Sequence, residues 1–215
     1  MPTRLDLPPT VRASGVVAVL RADDADRYGP VVDVLAENGV HAIELTMSTR
    51  GTADAVAALR DRIAGSAAAL GVGTVTDPET ARKVIDLGAE FIVTPTTDPD
   101  VISVAVDAGI PVYPGALTPT EVLTGWQAGA TAVKLFPAAT VGPSYLGHLH
   151  GPFPEIPVLP SGGFGVAEIP DWIAAGAVAV SMGSSLIGDA LRGGSLTDLA
   201  GRCRDAVGAV HRARS

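Results

Sequence analysis

The amino-acid sequence predicts an α/β fold, a single (β/α)8 barrel. Eight short β-rich runs alternate with helical patterns, and strands that alternate with helices indicate a parallel sheet. The runs begin about 20 to 28 residues apart, which leaves room for one strand, one helix and two short loops in each unit. The predicted strands are residues 16–20, 42–47, 70–75, 91–95, 112–115, 132–137, 157–160 and 179–182.

Glycines near the ends of five helical patterns support this alternation. Glycine tolerates a left-handed backbone and is common just beyond a helix C-terminus. The predicted caps are Gly39, Gly88, Gly109, Gly129 and Gly176. An open doubly wound sheet is the alternative, but it usually has fewer strands and a glycine-rich loop after the first one. Here the first strand is followed by Arg21-Ala22-Asp23-Asp24.

Composition favours one domain. Hydrophobic residues make up 47% of the chain and charged residues 18%, which suits a packed core rather than disorder. No linker or charge run divides the sequence, so we expect one barrel domain over residues 1–215. Within it, residues 1–14 are predicted to form an N-terminal cap segment and residues 195–215 a C-terminal helix.

Charge and cysteine content restrict the partners and the compartment. The formal net charge is −8 and no basic cluster offsets it, so neither nucleic acid nor a membrane surface is an expected partner. Cys203 is the single cysteine, which excludes a disulfide framework and indicates a reducing compartment. The N-terminus lacks the apolar stretch of a signal peptide, and no uncharged apolar run reaches about 18 residues. We therefore expect a cytoplasmic protein.

The first two strands carry charged groups where a barrel places its chemistry, at the strand C-termini. Arg21 directly follows the first strand, where a guanidinium can hold a carboxylate through two hydrogen bonds; a solvated loop arginine is the alternative. In the second strand, alternation sends Ile43 and Leu45 towards the helices and Glu44 into the barrel. A carboxylate buried there needs a cation or has a raised pKa that suits proton transfer. A structural ion pair with Lys134 or Arg21 is the alternative.

The next three strand ends give weaker signals. Thr74 follows two glycines that would let a ligand approach the backbone, and its hydroxyl could bind that ligand. The fourth strand ends at Thr94-Pro95-Thr96. After the fifth, Thr118, Pro119 and Glu121 have the spacing of a helix N-cap, a first-turn proline and a capping-box acid, so we favour a structural role there.

The sixth strand holds a lysine in the middle of an apolar run, Thr131-Ala132-Val133-Lys134-Leu135-Phe136-Pro137. Burial disfavours an ammonium group, so desolvation moves Lys134 towards a free, nucleophilic amine. Such an amine can attack a ketone and form a Schiff base. The alternative is a lysine that reaches solvent or pairs with a distant carboxylate.

The last two strands end in loops typical of a phosphate site. Residues 160–165 and 181–185 are rich in glycine and serine, and both precede helical patterns. Loops at these two positions of a barrel often bind phosphate through backbone N–H groups and a helix N-terminus. Such loops indicate a phosphate and not a reaction. No metal site is expected, because the four histidines, His41, His148, His150 and His211, have no metal-ligand partners at the strand ends.

In combination, these strand ends resemble the 2-keto-3-deoxy-6-phosphogluconate (KDPG) aldolase family over about residues 14–190. The family consists of class I aldolases on a (β/α)8 barrel, usually homotrimeric, that need no metal or organic cofactor. The motifs that carry the resemblance are Ile43-Glu44-Leu45-Thr46, Gly71-Val72-Gly73-Thr74-Val75, Val93-Thr94-Pro95, Pro114-Gly115, Val133-Lys134-Leu135-Phe136-Pro137, Gly151-Pro152-Phe153-Pro154 and Ser161-Gly162-Gly163.

The resemblance implies a role for each strand end. Lys134 corresponds to the Schiff-base lysine and Glu44 to the proton-transferring residue. Arg21 and Thr74 are implied as ligands of the pyruvyl carboxylate. The remaining implied substrate-binding residues are Pro95, Phe136 and, as the phosphate cradle, Ser161, Gly162, Gly163, Gly183 and Ser184.

One position departs from the family pattern. Some members carry an arginine two residues after the threonine of the second strand, where this chain has Ser48. Either Arg21 or Arg50 then binds the carboxylate, and we favour Arg21 because it terminates a strand whereas Arg50 precedes a helix start. The departure leaves the substrate range open, since related members cleave the galactonate epimer or 4-hydroxy-2-oxoglutarate.

The sequence therefore predicts a lyase that reversibly cleaves KDPG to pyruvate and D-glyceraldehyde 3-phosphate. The expected partners are this small-molecule substrate and two further copies of the chain in a homotrimer. Two alternatives remain: an isomerase or synthase of phosphorylated metabolites in which Lys134 only binds charge, and a catalytically silent barrel that binds a phosphorylated metabolite.

Overall fold

The computed structural model describes residues 4–215, which form one (β/α)8 barrel, as predicted; residues 1–3 of the expected cap segment lie outside the described residues. The described strands are β1 Val16–Leu20, β2 Ala42–Thr46, β3 Ala69–Gly73, β4 Ile92–Val93, β5 Val112–Tyr113, β6 Gly115–Ala116, β7 Val133–Leu135, β8 Val158–Pro160 and β9 Val180–Met182. The α-helices are α1 Pro9–Ser14, α2 Tyr28–Glu37, α3 Thr52–Arg62, α4 Pro78–Asp86, α5 Pro99–Asp107, α6 Pro119–Gln127, α7 Pro143–His150, α8 Ile169–Ala174, α9 Ser184–Ile187 and α10 Leu196–Arg214.

The strands pair in parallel in two hydrogen-bonded groups, β5-β4-β3-β2-β1-β9 and β6-β7-β8. β5 and β6 are the halves of the fifth predicted strand, interrupted at Pro114, which has no backbone N–H to donate. The N–H of Lys134 donates to the Pro114 carbonyl at 2.9 Å, so β7 still pairs with the interrupted strand. A parallel bridge between Ser161 and Ser181 joins the ends of β8 and β9, and the barrel is closed.

Local capping signals fix the helix ends. All five predicted glycine caps adopt positive φ, from 69° at Gly109 to 106° at Gly129. At the start of α6, the Thr118 hydroxyl accepts the Glu121 N–H while the Glu121 carboxylate accepts the Thr118 N–H, which is the predicted capping box. No helix among residues 4–215 combines the length and the apolar character needed to cross a bilayer.

The apolar core has two parts. The larger part lies between the strands and the helices and contains the outward residues of β2, Ile43 and Leu45. A smaller inner cluster fills the N-terminal half of the barrel, where the rings of Phe91 and Tyr113 lie 5.7 Å apart. Gly71 makes room for this packing, because a Cβ there would come within 2.3 Å of the Phe91 ring. The inner cluster leaves the C-terminal half of the barrel for polar groups.

The N-terminal segment covers the bottom of the barrel. Val11 of α1 belongs to the inner cluster. The Arg4 guanidinium lies 3.3 Å from the centroid of the Trp126 ring, and its Nε donates to the Ala130 carbonyl at 3.0 Å. From the other terminus, Arg214 of α10 donates to the Val178 carbonyl at 2.6 Å. Both chain ends are therefore tied to the closed end of the barrel, opposite the strand C-termini.

Candidate active site

One cavity of about 490 Å³ opens at the C-terminal ends of the strands. Alternation in β7 explains the lysine in it: Val133 and Leu135 point into the outer core, and Lys134 points into the barrel. Nine of the eleven predicted site residues line this cavity, namely Arg21, Thr74, Pro95, Lys134, Phe136, Ser161, Gly162, Gly183 and Ser184. The other two are Glu44 and Gly163, which lie beside it.

Lys134 and Glu44 form a buried pair. Their side chains are 9% and 1% exposed, and Nζ of Lys134 lies 3.9 Å from Oε2 of Glu44. That distance is too long for a hydrogen bond, and Oε2 has no hydrogen-bond partner within the described residues. The amine is therefore held near the carboxylate without being bonded to it, which leaves its lone pair, once deprotonated, free to meet a carbonyl carbon.

Burial governs the protonation of Glu44. Desolvation raises the pKa of Glu44, and the positive charges of Lys134 and Arg21 only partly oppose it. The attraction between the charges and the cost of their desolvation are similar in size. Two unit charges about 4 Å apart attract by about 4 kcal/mol at an effective dielectric of about 20. Withdrawing each ion from water costs several kcal/mol, which is of the same order. Glu44 can consequently exchange a proton more readily near neutral pH than an exposed glutamate.

A glycine creates the space for Glu44. A Cβ at Gly73 of β3 would lie 1.8 Å from Oε1 of Glu44, so only glycine fits at this inward position. From the sequence alone, Gly73 was expected to let a ligand approach the backbone. The structure adds a second function, which is to accommodate the carboxylate of the neighbouring strand.

Arg21 and Thr74 lie together at one side of the cavity. An Arg21 Nη2 donates to Oγ1 of Thr74 over 3.5 Å, and no carboxylate among residues 4–215 forms an ion pair with Arg21. Thr74 has a φ of 60°, which is rare for a β-branched residue and costs about 1 to 3 kcal/mol. Strain of this kind is typical of functional sites. Here it places the Thr74 hydroxyl beside the Arg21 guanidinium, and this guanidinium can bind an anion.

Arg50, the competing arginine, lies outside the cavity. Its Nη2 is 2.7 Å from Oδ2 of Asp24, and this hydrogen-bonded contact lowers the pKa of Asp24. Ser48 points back along its own loop, with its hydroxyl donating to Oγ1 of Thr46 at 3.2 Å. The structure therefore puts Arg21, and not Arg50, among the residues that line the cavity.

The glycine-rich loops meet at the ends of β8 and β9, and β9 pairs with β1, the strand that Arg21 follows. Gly162 and Gly163 adopt φ values of 88° and 86°. Gly163 lines an adjoining cavity of about 470 Å³ that shares Gly162, Gly183 and Ser184 with the main one. The loop after β8 does not open directly into an α-helix as expected, because a 3-10 turn, Val166–Glu168, precedes α8. The N–H donors at this side thus belong to loops and to the four-residue helix α9.

Sequence reasoning missed one charged residue of the cavity. Arg192 ends the 3-10 turn Ala190–Arg192 and lines the cavity together with Leu191 and Ile187. It belongs to no motif, and its only signal is a basic residue before two glycines in the segment that follows the eighth strand.

The histidines stand apart from this site. None of the four lines the cavity. Within residues 4–215, no three His, Cys, Asp or Glu side chains are grouped so that they could hold a metal ion.

Comparison with known proteins identifies the family. A family model described as KDPG and KHG aldolase matches residues 8–198. The 2-dehydro-3-deoxy-6-phosphogalactonate aldolase of Escherichia coli is 34% identical over 172 residues, 80% of this chain and 83% of that protein. The 2-dehydro-3-deoxy-phosphogluconate aldolase of Haemophilus influenzae is 33% identical over 165 residues, covering 76% of this chain and 77% of the relative.

Solved structures agree with the sequence relatives. A structure described as "Native KDPGal structure" superposes with a TM-score of 0.87 at 30% identity and covers 100% of this chain and 99% of its own. The match therefore extends over the whole barrel, including the strand ends that form the cavity. The chain belongs to the KDPG and KHG aldolase family and is a lyase of the aldolase class.

Proposed function

We propose that the chain cleaves KDPG reversibly to pyruvate and D-glyceraldehyde 3-phosphate through a Schiff base on Lys134. The observation that carries this proposal is the buried Lys134–Glu44 pair at one cavity that also holds the Arg21 guanidinium, which forms no ion pair with the described residues. Membership of an aldolase family favours this reaction over an isomerase, a synthase or a silent barrel.

Binding orients the substrate along the cavity. The carboxylate next to the ketone binds Arg21 and Thr74, which places the C2 carbonyl at Lys134. Pro95 and Phe136 form the walls, and the Phe136 ring lies 5.4 Å from Nζ of Lys134. The phosphate at the other end is received by the loops of Ser161, Gly162, Gly163, Gly183 and Ser184. The Ser161 N–H itself donates to the Leu135 carbonyl at 2.9 Å, so the N–H groups offered to the phosphate are those of the other four residues.

Covalent chemistry then begins at Nζ. The neutral amine attacks C2, the resulting carbinolamine loses water, and a protonated imine remains. This imine draws the electron pair of the C3–C4 bond as that bond breaks. Glu44, acting through a water molecule, takes the proton of the C4 hydroxyl, so that C4 leaves as the aldehyde of glyceraldehyde 3-phosphate.

The second half of the reaction returns the enzyme to its starting state. Glu44 delivers the proton to C3 of the enamine, which becomes the imine of pyruvate. Water then hydrolyses this imine and frees both pyruvate and the Lys134 amine. Each proton transfer by a positioned carboxyl group accelerates such a step by about 10²- to 10⁴-fold.

Relatives named for different substrates match this chain about equally well. One relative is named for the phosphogluconate epimer and another for the phosphogalactonate epimer, at nearly equal identity. We propose KDPG as the main substrate, with its galactonate epimer and 4-hydroxy-2-oxoglutarate as the alternatives. Pyruvate release from each of the three substrates, compared by kcat/KM, decides among them.

Trapping tests the Schiff base directly, because the chain has only two lysines, Lys83 and Lys134. Incubation with pyruvate and borohydride should add one three-carbon unit to Lys134, as read by peptide mass spectrometry. Lys134→Arg should lose both the adduct and turnover, since a guanidinium stays protonated and cannot form an imine. Lys83 is exposed on α4, and Lys83→Arg should keep both. An adduct on Lys83 instead would refute the assignment.

The resemblance also carries three proposals about the working protein. We propose a cytoplasmic homotrimer that needs no metal or organic cofactor, since the lysine itself provides the electron sink. Light scattering should give three times the monomer mass of 21.7 kDa. Turnover should survive dialysis against a chelator.

A further inference from the structure

Arg192 lines the cavity that holds Lys134, yet the reaction as proposed gives it no part. The cavity contains three basic side chains, Arg21, Lys134 and Arg192. The first binds the substrate carboxylate in the proposed function, and the second must lose its proton to react. Arg192 is thus the remaining positive charge at the loops that receive the phosphate.

The guanidinium of Arg192 is not engaged by any other side chain or carbonyl of the described residues. Neighbouring arginines at the rim are paired: Arg50 with Asp24 at 2.7 Å, and Arg27 with Asp26 at 3.4 Å. Arg192 forms neither an ion pair nor a side-chain hydrogen bond with any of residues 4–215. It also lines a second cavity, outside the main one, together with Asp23, Asp24 and Asp26, and it pairs with none of these three acids. Its donors are therefore available to an anionic ligand.

The backbone that carries Arg192 is fixed. The N–H groups of Arg192 and Gly194 both donate to the Asp189 carbonyl, at 2.7 and 3.0 Å. Arg202 of α10 donates to the carbonyls of Leu186 and Ile187, at 2.6 and 2.9 Å, and so ties the end of α9 to the body of the protein. Arg192 is exposed but projects from an ordered turn, which limits the entropy lost when it binds a ligand.

The phosphate cradle itself supplies only neutral donors. Its loop N–H groups can bind the phosphate oxygens but do not neutralise a charge of about −1.5 to −2. An arginine matches phosphate geometry with two parallel hydrogen bonds and keeps its charge at any working pH. We propose that Arg192 binds the substrate phosphate and makes the site selective for phosphorylated over unphosphorylated aldehydes. This inference rests on the proposed function.

Aldol synthesis tests this selectivity in the full chain. Pyruvate is condensed with either glyceraldehyde 3-phosphate or glyceraldehyde, and the ratio of the two kcat/KM values measures the phosphate contribution. In Arg192→Ala the ratio should fall about tenfold, the typical loss of one charged hydrogen-bonding partner. Arg192→Lys should restore part of it. Arg27→Ala is the matched control, since Arg27 lies on the outer rim and does not line the main cavity, and its ratio should equal that of the wild type.

The kcat/KM ratios and the borohydride trapping distinguish a failure of the Arg192 inference from a failure of the proposed function. A ratio in Arg192→Ala within twofold of the wild type overturns the inference. An equal loss with both aldehydes also overturns it, because a structural defect would act on both. If the wild type forms no pyruvate adduct under borohydride, the proposed function fails first and the inference falls with it.

Discussion

Glu44 is the residue whose environment most directly sets the chemistry. Its carboxylate is buried and lies 3.9 Å from the Lys134 amine, and Oε2 finds no hydrogen-bond partner in the part of the chain that the structure describes. A structural ion pair would be expected to close this gap, whereas a proton carrier needs room for a water or a substrate hydroxyl. The observed spacing favours the second role.

Glu44→Gln tests that role. The pyruvate imine should still form slowly, because Lys134 remains, but exchange of the pyruvate methyl protons with deuterated water should fall at least about 10²-fold. Glu79→Gln, on the exposed first turn of α4, serves as the control and should exchange at the wild-type rate. Exchange near the wild-type rate in Glu44→Gln would make Glu44 structural.

Arg21 is the second residue whose role the geometry makes testable. Arg21→Ala should weaken pyruvate binding and cleavage by about 2 to 5 kcal/mol, since a carboxylate in the cavity would lose its charged partner. Arg50→Ala should have little effect, because Arg50 pairs with Asp24 away from the cavity. Isothermal titration with pyruvate, in the lysine-blocked Lys134→Arg background, separates ion binding from imine formation. The reverse order of effects would assign the carboxylate to Arg50.

At the level of secondary structure, β3 determines where the carboxylate of β2 can lie. In Gly73→Ala the new methyl group would overlap Oε1 of Glu44, so the side chain must move. We expect a loss of about 1 to 3 kcal/mol in the free energy of unfolding, together with slower pyruvate exchange. Gly147→Ala in α7, where a Cβ meets nothing within 4 Å, should be neutral or stabilising and should keep full exchange. Urea unfolding and deuterium exchange measure the two effects.

The elements themselves were largely predictable, because their signals are local. Alternation placed Glu44 inside the barrel, and an apolar run around Lys134 marked it as buried. The capping box at Thr118 and the five glycine caps depend only on residues a few positions apart. Features set by distant contacts were not predictable. The φ of Thr74 is one such feature. The place of Arg192 at the cavity is another, since Arg202 of α10 ties the preceding helix to the body of the protein.

Across the whole molecule, two glutamates should give opposite contributions to the pH dependence of stability. Burial raises the pKa of Glu44, whereas hydrogen bonds from Thr118 and Leu117 lower that of Glu121. A raised carboxyl pKa means that the folded state binds more protons than the unfolded state, so the stabilisation is complete below the unfolded pKa. It is lost as the pH rises through the folded pKa. For Glu121 the stabilisation is present above the unfolded pKa and is lost on acidification.

Unfolding by urea between about pH 4 and 8 tests both signs. The free energy of unfolding of Glu44→Gln, minus that of the wild type, should increase with pH. The same difference for Glu121→Gln should decrease. If the free energy of unfolding of each variant runs parallel to that of the wild type over this range, neither carboxyl group has a different pKa in the folded and unfolded states.

The inner cluster of Phe91, Tyr113 and their neighbours contributes no reactive group, but its side chains fill the barrel below Lys134. In the proposed reaction the pyruvyl half of the substrate is therefore the deeper half, and the phosphorylated half lies towards solvent. After cleavage the aldehyde must depart first, while the three-carbon fragment stays covalently held. In synthesis the sequence reverses, and glyceraldehyde 3-phosphate can react only with an enzyme already loaded with pyruvate. A covalent link formed just above a filled floor thus imposes a compulsory order on the proposed two-substrate reaction.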